Sequence, residues 1–542
     1  MRRNCVSMWR PPAPNARRNC YRPAWTPSAH GGTHRNKPAP GAYWTLDPFC
    51  RAEYGARMGF ASDLGFSIAV FTAALCITFL MEHLTRPVGR SLWSAPRLVL
   101  HGLVMAGVFG WCALASGSVW LSACVMVLGV LVAVIASNIK FSLLGEPLLF
   151  SDVVVAQSFL RNPKFYLFSV PLPARVAVVA IVLLLPALFV YVACQGLHAG
   201  VRLAGALMAI GAWAGLRLVP AARWAPVPAA RADIARLGLI GSLQLYWRRW
   251  QAEPDGKPPP LNPSARPARD IVVVVQCESF ADPHRLGLGS NVTLPPMPGL
   301  EHARRIASAW GRLEVSGFGA YTMRTEYGVL FGRTEAELGF RYFDPFLTAG
   351  REKTFALPYR LGRAGYETVF MHPHNLGFYS RDRLMPAIGF DQLVGAEAFA
   401  HAPSFSMPYT PDCDVADAVL QRVSNATGPL FIYVVTMENH GPWPQAEGGG
   451  LGHYLRHLRG SDRMLDRLAR GLEATQQAAT LVFFGDHRPS IPGSVVPGGE
   501  RDTPFVVIDF PVAGASPVVG AESLTPAGLH DVIERHALGG AA

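Results

Sequence analysis

Side chains that can bind a metal ion end three apolar stretches in the second half of this sequence. Glu278 follows IVVVVQC, Asp486 and His487 follow TLVFFG, and His440 stands in MENHGPW after FIYVV. Carboxylate oxygens and imidazole nitrogens together suit a hard or borderline divalent cation. A single acidic residue after a strand is more often a helix N-cap. The repeated position after strands is therefore what predicts a metal site.

The segment GAYTMRTEYG contains candidate nucleophiles. Tyr321, Thr322 and Thr325 lie between a glycine-rich stretch and an apolar helical pattern that opens at Glu326. At a helix N-terminus, backbone N–H groups and the helix dipole stabilise negative charge on a hydroxyl and on a phosphoryl oxygen. A divalent cation on a threonine oxygen would lower its pKa further. Threonines are also good helix caps, so a purely structural role stays open here.

Five apolar runs predict the sheet that positions these residues. They are IVVVVQ (271–276), TVFMH (368–372), FIYVVTM (431–437), TLVFFGDH (480–487) and FVVIDF (505–510). Continuous β-branched runs are typical of strands buried on both faces of a parallel sheet. Helical patterns between the runs indicate a doubly wound α/β domain. Ligands of such domains bind at the carboxyl ends of the strands, where the candidate metal ligands lie.

The first half of the chain predicts a membrane domain over residues 61–220. Charged residues make up only 16% of the chain and hydrophobic residues 50%, and charges are scarcest between residues 64 and 219. Five apolar segments approach the ~20 residues that span a bilayer. They are residues 62–82, 96–116, 118–137, 171–194 and 200–219.

The charge distribution predicts an orientation. Residues 1–60 are rich in Arg and Pro and predict a disordered basic leader, with translation beginning at Met1 or Met58. Basic segments stay in the cytoplasm, and five spans place the two ends of the chain on opposite sides. We therefore expect a multi-pass protein of the bacterial inner membrane with its C-terminal half in the periplasm.

The remaining domain boundaries follow from composition. Residues 221–270 predict a juxtamembrane region, in which an amphipathic helix (232–251) lies in the membrane interface or packs on the soluble domain. A Pro-rich linker (254–270) follows. The catalytic domain is predicted over residues 271–515, and residues 516–542 are predicted as a C-terminal tail.

Net charge and cysteine content exclude two classes of protein. The formal charge is +11, but no basic run alternates with aromatic residues as a nucleic-acid surface requires. The charge instead indicates the positive-inside signal and attraction to anionic lipid headgroups. Of the nine cysteines, Cys277 and Cys413 alone lie in the soluble half, so a disulfide framework is not expected.

Six motifs carry a family resemblance. QCESF, GAYTMRTEYG, FYSRD, MENHGPW, FFGDHRPS and TPFVV, in this order, resemble the lipoteichoic acid synthase family of phosphoglycerol transferases, within the alkaline phosphatase/sulfatase superfamily. The five spans and the segment NIKFSLLGEPLLFSDVV (138–154) are similar to that family's membrane half. The resemblance implies an α-helical membrane domain followed by an α/β domain with a mostly parallel sheet.

The resemblance also implies a metal site and a nucleophile. Four residues would bind one divalent cation, namely Glu278, Thr322, Asp486 and His487. Mn²⁺ is the expected ion, with Mg²⁺ and Zn²⁺ as alternatives. Thr322 would be the nucleophile.

Further residues are implied to contact the substrate. His440 would contact the substrate phosphate or protonate the leaving group, and Arg381 would bind the phosphate, which suits a bidentate guanidinium. His372, His374 and Tyr379 are expected beside them. The family usually has Trp-Asn-Arg where this chain has Tyr379, Ser380 and Arg381, so the headgroup pocket is expected to differ.

The implied reaction is metal-dependent transfer of a glycerophosphoryl group. The donor would be an anionic membrane phospholipid, the acceptor a periplasmic glycan or polyol, and the intermediate a phospho-threonine. Alternatives are a phosphoethanolamine transferase, a phosphodiesterase or sulfatase-like hydrolase, and a non-catalytic scaffold for a cell-envelope partner. Neither Cys277 nor Cys413 lies in the C-x-P-x-R motif of a sulfatase. Two soluble-half cysteines also cannot supply the disulfides typical of phosphoethanolamine transferases.

Overall fold

The computed structural model describes residues 48–87, 93–153, 186–188, 190–191, 199–399, 408–441, 443, 449–511 and 522–539, with side chains of the first helix from residue 65 onward. The chain forms two compact units, Met1–Ala74 and Leu75–Ala542. The described part of the first unit is the beginning of helix α1 (Pro48–Met81). The second unit contains the other described apolar helices together with the α/β domain.

Four described helices are long and apolar enough to cross a membrane. They are Gly65–Leu84 (mostly within α1), α2 (Ala95–Ser116), α3 (Val119–Leu144) and α4 (Ala199–Leu218). They correspond to four of the five predicted spans, and the predicted span 171–194 lies largely outside the described residues. Large apolar side chains such as Trp111, Trp120 and Leu207 are exposed on these helices, as a lipid-facing surface requires.

Small residues bring α2 and α4 together. A Cβ atom added to Gly110 would lie 2.7 Å from the carbonyl oxygen of Gly205. Only glycine permits backbones to approach this closely, which is a common basis of helix packing in membranes.

The predicted juxtamembrane helix is divided into two. After the short helix α5 (Ala221–Trp224), helices α6 (Ala230–Leu237) and α7 (Leu239–Ala252) meet at Gly238. Gly238 has φ 79°, a conformation that ends a right-handed helix and that glycine adopts without strain. In α7, Tyr246 stacks on Phe343 with ring centroids 5.4 Å apart. This ring contact joins α7 to the α/β domain.

The α/β domain contains one eight-stranded sheet. Its strands are β1 (Ile271–Cys277), β2 (Ala309–Leu313), β3 (Glu367–Met371), β4 (Gln392–Val394), β5 (Leu430–Val435), β6 (Ala479–Gly485), β7 (Thr503–Phe510) and β8 (Glu522–Leu524). Its helices are α8 (Pro298–Ile306), α9 (Thr322–Phe331), α10 (Glu335–Leu338), α11 (Phe346–Ala349), α12 (Leu357–Ala364), α13 (Arg381–Ala387), α14 (Asp412–Ser424), α15 (Gly449–Ala474) and α16 (Pro526–Leu538).

The sheet order is β4-β3-β5-β1-β6-β7-β2-β8. The strands β4, β3, β5, β1 and β6 are mutually parallel, and β7 is antiparallel to both of its neighbours. Val273 and Val275 face one hydrophobic core, and Val272 and Val274 face the other. Burial on both faces explains why the strand is apolar at successive positions. The predicted fold class, with a mostly parallel sheet, is confirmed.

The C-terminal residues are part of this domain. Strand β8 pairs with β2 through Gly311↔Glu522 and Leu313↔Leu524, and helix α16 buries Leu529 and Ile533 in the core. Within the predicted tail over residues 516–542, the described residues 522–539 thus pack against the α/β domain. A three-residue strand and one helix carry too little pattern to reveal their partners, which lie far away in the sequence.

Candidate active site

Neighbouring strands bring the predicted metal ligands together. Strands β1 and β6 are adjacent, and their last residues, Cys277 and Gly485, are paired across the sheet. Glu278 and Asp486 are the next residues of the two strands, so they leave the sheet side by side at its carboxyl edge. His487 follows directly. This placement is a consequence of parallel pairing in register.

The ligand atoms of Glu278, Asp486 and His487 all lie within 4.8 Å of one another, and all three residues are buried. The His487 Nε2 atom is 3.5 Å from Glu278 Oε1 and 3.6 Å from Asp486 Oδ2. Thr322 Oγ1 lies 3.4 Å from the same nitrogen. The four predicted side chains therefore surround one point.

The electrostatics of this cluster suit a cation. Burial and the neighbouring charge of Glu278 raise the pKa of Asp486 above its usual range. Burial lowers the pKa of His487, but the carboxylates of Asp486 and Glu278 outweigh it, so the net pKa is raised. Within the described residues, Asp486 Oδ2 is buried and accepts no hydrogen bond. Two carboxylates, an imidazole and a hydroxyl match the ligand sets of Mn²⁺, Mg²⁺ or Zn²⁺.

Ser279 supports both carboxylates and was not predicted as a site residue. Its backbone N–H donates to Asp486 Oδ1 at 2.8 Å, and its hydroxyl donates to Glu278 Oε1 at 2.8 Å. Its φ of 49° lies in the left-handed region, uncommon for a residue with a side chain. The available signal was a serine directly after the strand-end glutamate in QCESF.

Helix α9 begins at the predicted nucleophile. Thr322 is its first residue, and its hydroxyl faces the cluster. Thr325, the other threonine of the segment, donates its hydroxyl to the carbonyl oxygen of Asp486 at 2.7 Å. Tyr321, directly before the helix, is left-handed with φ 76° and ψ 33°. Such a conformation costs on the order of 1–3 kcal/mol and persists only where its surroundings impose it.

Arg381 is bound by a carboxylate that the sequence did not identify as its partner. Its Nε donates to Glu326 Oε1 at 3.2 Å and its Nη2 to Glu326 Oε2 at 2.5 Å. Both side chains are almost fully buried. Glu326 lies one helical turn after Thr322, so the pair fixes the guanidinium relative to the start of α9. The guanidinium has five N–H groups, and the bonds to Glu326 use two of them. The remaining N–H groups, on Nη1 and Nη2, can donate to other acceptors.

Two histidines beside Arg381 are neutral. His372 Nδ1 bonds the carbonyl oxygen of Val435 at 2.9 Å and must donate, which leaves Nε2 to accept from Arg381 Nη1 at 3.3 Å. Burial, then the charge of Arg381, holds the pKa of His372 well below its usual range. Burial, then the charges of His440 and Arg381, lowers the pKa of His374 to about 4.

These residues line one cavity of about 130 Å³. It contains eight of the nine predicted site residues, namely Glu278, Thr322, His372, His374, Tyr379, Arg381, His440 and His487. Asp486, the ninth, lies beneath the cavity floor in contact with His487. Phe378 and Met437 contribute apolar surface. A small pocket lined by candidate metal ligands, one arginine and three further histidines is suited to a phosphoryl group.

The α/β domain matches a known family model. Residues 270–513 match the model described as Sulfatase. Over 453 residues the chain is 29% identical to the capsular polysaccharide biosynthesis protein RkpI of Rhizobium meliloti (strain 1021), covering 78% of this chain and 82% of that protein. Over 251 residues it is 24% identical to a putative cyclic beta-1,2-glucan modification protein of the same strain, covering 43% of this chain and 38% of that protein.

Among solved structures, the chain is similar to Streptococcus pyogenes phosphoglycerol transferase GacH in complex with sn-glycerol-1-phosphate. The identity is 17%, the match covers 54% of this chain and 78% of that chain, and the TM-score is 0.41. The Sulfatase match over residues 270–513 agrees with the superfamily that the sequence motifs resemble.

Proposed function

We propose that the domain formed by residues 270–513, which matches the Sulfatase family model, is a metal-dependent transferase that moves a glycerophosphoryl group from a membrane phospholipid to a cell-envelope glycan or polyol. The observation that carries this proposal is the position of Thr322. Its hydroxyl lies at a helix N-terminus, 3.4 Å from His487 Nε2 in a cluster with two buried carboxylates. A hydroxyl in that setting is suited to attack phosphorus.

In the proposed first step, Thr322 Oγ, which has lost its proton to solvent before the donor binds, attacks the donor phosphorus as an alkoxide. The bond from phosphorus to the diacylglycerol oxygen breaks, and the leaving oxygen takes a proton from His440. A bound divalent cation, held by Glu278, Thr322, Asp486 and His487, would lower the pKa of the Thr322 hydroxyl and offset charge on the phosphoryl oxygens. Mn²⁺ is the proposed ion.

In the second step, an acceptor hydroxyl attacks the phospho-threonine. The bond from phosphorus to Thr322 Oγ breaks, which regenerates the Thr322 alkoxide, and His440 accepts the proton that the acceptor hydroxyl loses. Arg381 supplies a fixed positive charge beside the phosphoryl oxygens in both steps, because Glu326 holds its guanidinium in place. Phosphoryl transfer mainly requires positive charges that are already in position to stabilise the phosphoryl oxygens in the transition state.

The pocket composition favours a glycerol headgroup over ethanolamine. Among the described lining residues, Glu278 is the sole carboxylate, and it is assigned to the metal. A protonated amine in this pocket would therefore lack an anionic partner beside Arg381, and an unpaired buried charge is unfavourable. Tyr379 and His374, which also line the pocket, have polar groups that suit an uncharged polyol.

The relatives support an envelope glycan as the acceptor. RkpI is described as a capsular polysaccharide biosynthesis protein and the second relative as a putative glucan modification protein. We propose that this chain likewise modifies a polysaccharide outside the inner membrane, with its apolar helices holding the domain beside its lipid donor.

The donor can be tested with the purified full-length protein. Phosphatidylglycerol and phosphatidylethanolamine, each labelled in the acyl chain, are incubated separately with protein and Mn²⁺. We expect diacylglycerol from phosphatidylglycerol. Release from phosphatidylethanolamine alone would replace the glycerophosphoryl assignment with phosphoethanolamine transfer. Release from neither lipid, in the presence of a glucan acceptor, would contradict lipid-dependent transfer.

The orientation gives a separate prediction. A reporter active only in the periplasm, fused after residue 260, is expected to be active, because the basic leader keeps the N-terminus in the cytoplasm and five spans export the other end. A cytoplasm-only reporter at the same position serves as the control. Activity of that second fusion would place the catalytic domain in the cytoplasm.

Arg381→Ala is expected to slow transfer by roughly 100-fold, the usual cost of one charge-stabilising donor. Arg381→Lys should recover only part of this rate, because an ammonium cannot retain the two-pronged bond to Glu326. Steady-state rates and metal content are measured for each variant. An unchanged rate with bound metal would remove Arg381 from the proposed mechanism.

A further inference from the structure

A segment at the end of the third apolar helix contacts the candidate active site from outside the cavity. We define the post-span segment as Lys140–Asp152, which begins in the last turn of α3. Ser490 donates its hydroxyl to the carbonyl oxygen of Leu143 at 2.6 Å. Arg231 donates to the carbonyl oxygen of Gly145 at 2.7 and 3.1 Å. The Ser490 bond therefore joins the membrane half to the α/β domain, and the Arg231 bonds join it to helix α6 of the juxtamembrane region.

The strongest contact in this interface reaches helix α9. Both terminal nitrogens of Arg324 bond the two carboxylate oxygens of Glu146, at 2.9 and 3.0 Å. The side chain of Arg324 is 2% exposed and that of Glu146 14%. Burial raises the pKa of Glu146, but the charge of Arg324 outweighs it and holds the pKa below its usual value. Arg324 lies two residues after Thr322, in the first turn of the helix.

Tyr321 lies between the same two elements. The guanidinium of Arg324 stacks 3.9 Å from its ring centroid, and the ammonium of Lys140 lies 5.3 Å from it. Lys140 is in turn held by Asp152 at 2.5 Å. Tyr321 is the left-handed residue that directly precedes Thr322. Two cations, each held by a carboxylate of the post-span segment, thus flank the residue that sets the start of α9.

These contacts act on Thr322 only through other residues. Among the described cavity-lining residues, Tyr321 and Thr322 are present, whereas Lys140 and Glu146 are not. A strained residue stays in its conformation only where the surroundings over-determine it. The surroundings of Tyr321 include residues of the membrane half, more than 150 positions earlier in the chain.

We propose that the post-span segment is a positioning element of the active site, in which Glu146, through Arg324, and Lys140 hold Tyr321 so that the Thr322 hydroxyl faces the metal cluster. The proposal rests on the proposed role of Thr322 as nucleophile. It means that the site is completed by the membrane half, so transfer runs at full rate only while the α/β domain is seated on α3. Membrane attachment then has a catalytic role in addition to bringing the domain to its lipid.

The first test is kinetic and uses the full-length protein in detergent with Mn²⁺. The probe is bis(p-nitrophenyl) phosphate, a soluble diester that does not need the bilayer. We expect Glu146→Gln to lower kcat by roughly ten- to 100-fold, the scale of a small misplacement of a reacting group. KM should change less than about twofold, because Glu146 does not line the cavity. Lys140→Gln should also lower kcat, but by a smaller factor than Glu146→Gln.

Glu534→Gln is the matched control. It removes a partly buried ion pair, Arg360 Nε to Glu534 Oε1 at 2.5 Å, which joins α12 to α16 beside a different cavity. The kcat of this variant should stay within about twofold of the native value. The described ion pair of Glu534 joins α12 to α16 and does not involve the first turn of α9. If Glu534→Gln and Glu146→Gln lowered kcat equally, Glu146 would contribute only to general stability and would have no positioning role.

Exchanging the charges of Glu146 and Arg324 tests their pairing, because a loss of general stability would not be restored by the second substitution. Glu146→Arg and Arg324→Glu should each lower kcat strongly, whereas the double variant restores opposite charges across the interface. We expect kcat of the double variant to exceed that of either single variant by about tenfold or more. Additive losses would overturn the assigned pairing.

Hydrogen exchange tests the proposal without turnover. In the native full-length protein, amides at 320–326 should exchange slowly, and Glu146→Gln should accelerate them while Glu534→Gln does not. If the native protein fails to cleave the diester or any lipid, the proposed function fails, and the exchange result still decides the positioning role. Unchanged exchange in both Glu146→Gln and Lys140→Gln would overturn that role.

Discussion

Replacing Thr322 by Ala is expected to abolish transfer, with a loss of about 10³-fold or more, because its hydroxyl is the proposed nucleophile beside His487 in the ligand cluster. Thr325, one turn further along α9, already donates its hydroxyl to the carbonyl oxygen of Asp486. The alanine variant should remain folded and retain much of its metal affinity, since Glu278, Asp486 and His487 still converge.

Thr322→Ser is the matched control and should retain a measurable rate, because it keeps the oxygen in place. In the native enzyme, quenching during turnover should trap a glycerophosphoryl group on the peptide that contains Thr322, detected by mass spectrometry. Full activity of Thr322→Ala would exclude the covalent mechanism. A native enzyme that turns over but never carries the adduct would indicate direct transfer to the acceptor.

Asp486→Asn is expected to remove metal binding and activity together. One of the two carboxylates that would neutralise the cation is lost, and an amide oxygen is a weaker ligand. Metal content by mass spectrometry should fall, and the rate should fall by about 10³-fold or more. Removing the metal from the native protein with EDTA should reproduce the loss of activity, and adding Mn²⁺ should reverse it.

The same variant makes an opposite prediction for stability without metal. Asp486 is buried beside Glu278, and this burial and repulsion raise its pKa, so its ionised form is unfavourable in the metal-free protein. The neutral amide removes that repulsion. We therefore expect Asp486→Asn to melt at or above the native temperature in EDTA but to gain nothing from Mn²⁺, whereas the native protein gains several degrees.

Asp391→Asn serves as the control for both measurements. Its carboxylate bonds Thr368 at the opposite end of the sheet, so metal-dependent stabilisation and activity should be retained. If Asp486→Asn still bound Mn²⁺ with native affinity, the metal site would have to be assigned to other residues.

The sequence by itself determined the classes of element and the approximate location of the site. Strand β1 is apolar at successive positions because both of its faces are buried, and that pattern is local. The polar residues after the runs stand out for the same reason. Because parallel strands end at one edge, Glu278 and Asp486 could be predicted to meet before any distance was known.

Other features were decided only by tertiary structure, because they join residues far apart in the chain. The sequence of β7 does not reveal that the strand is antiparallel to its neighbours. A strand buried on both faces has the same apolar pattern whether it runs parallel or antiparallel. The three-residue strand β8 and helix α16 complete the sheet and core although they were predicted as a tail.

The supporting charges of the site also belong to this second group. The pairing of Arg381 with Glu326 spans 55 positions, and that of Arg324 with Glu146 spans 178. Each of these residues is an ordinary charged residue in its own segment, and the sequence pattern is equally compatible with a solvent-exposed position. Its burial, its partner and hence its effect on Thr322 depend on which surfaces meet when the chain folds. For that reason the sequence was enough to predict candidate reacting groups, whereas the structure was needed to find the residues that contact them.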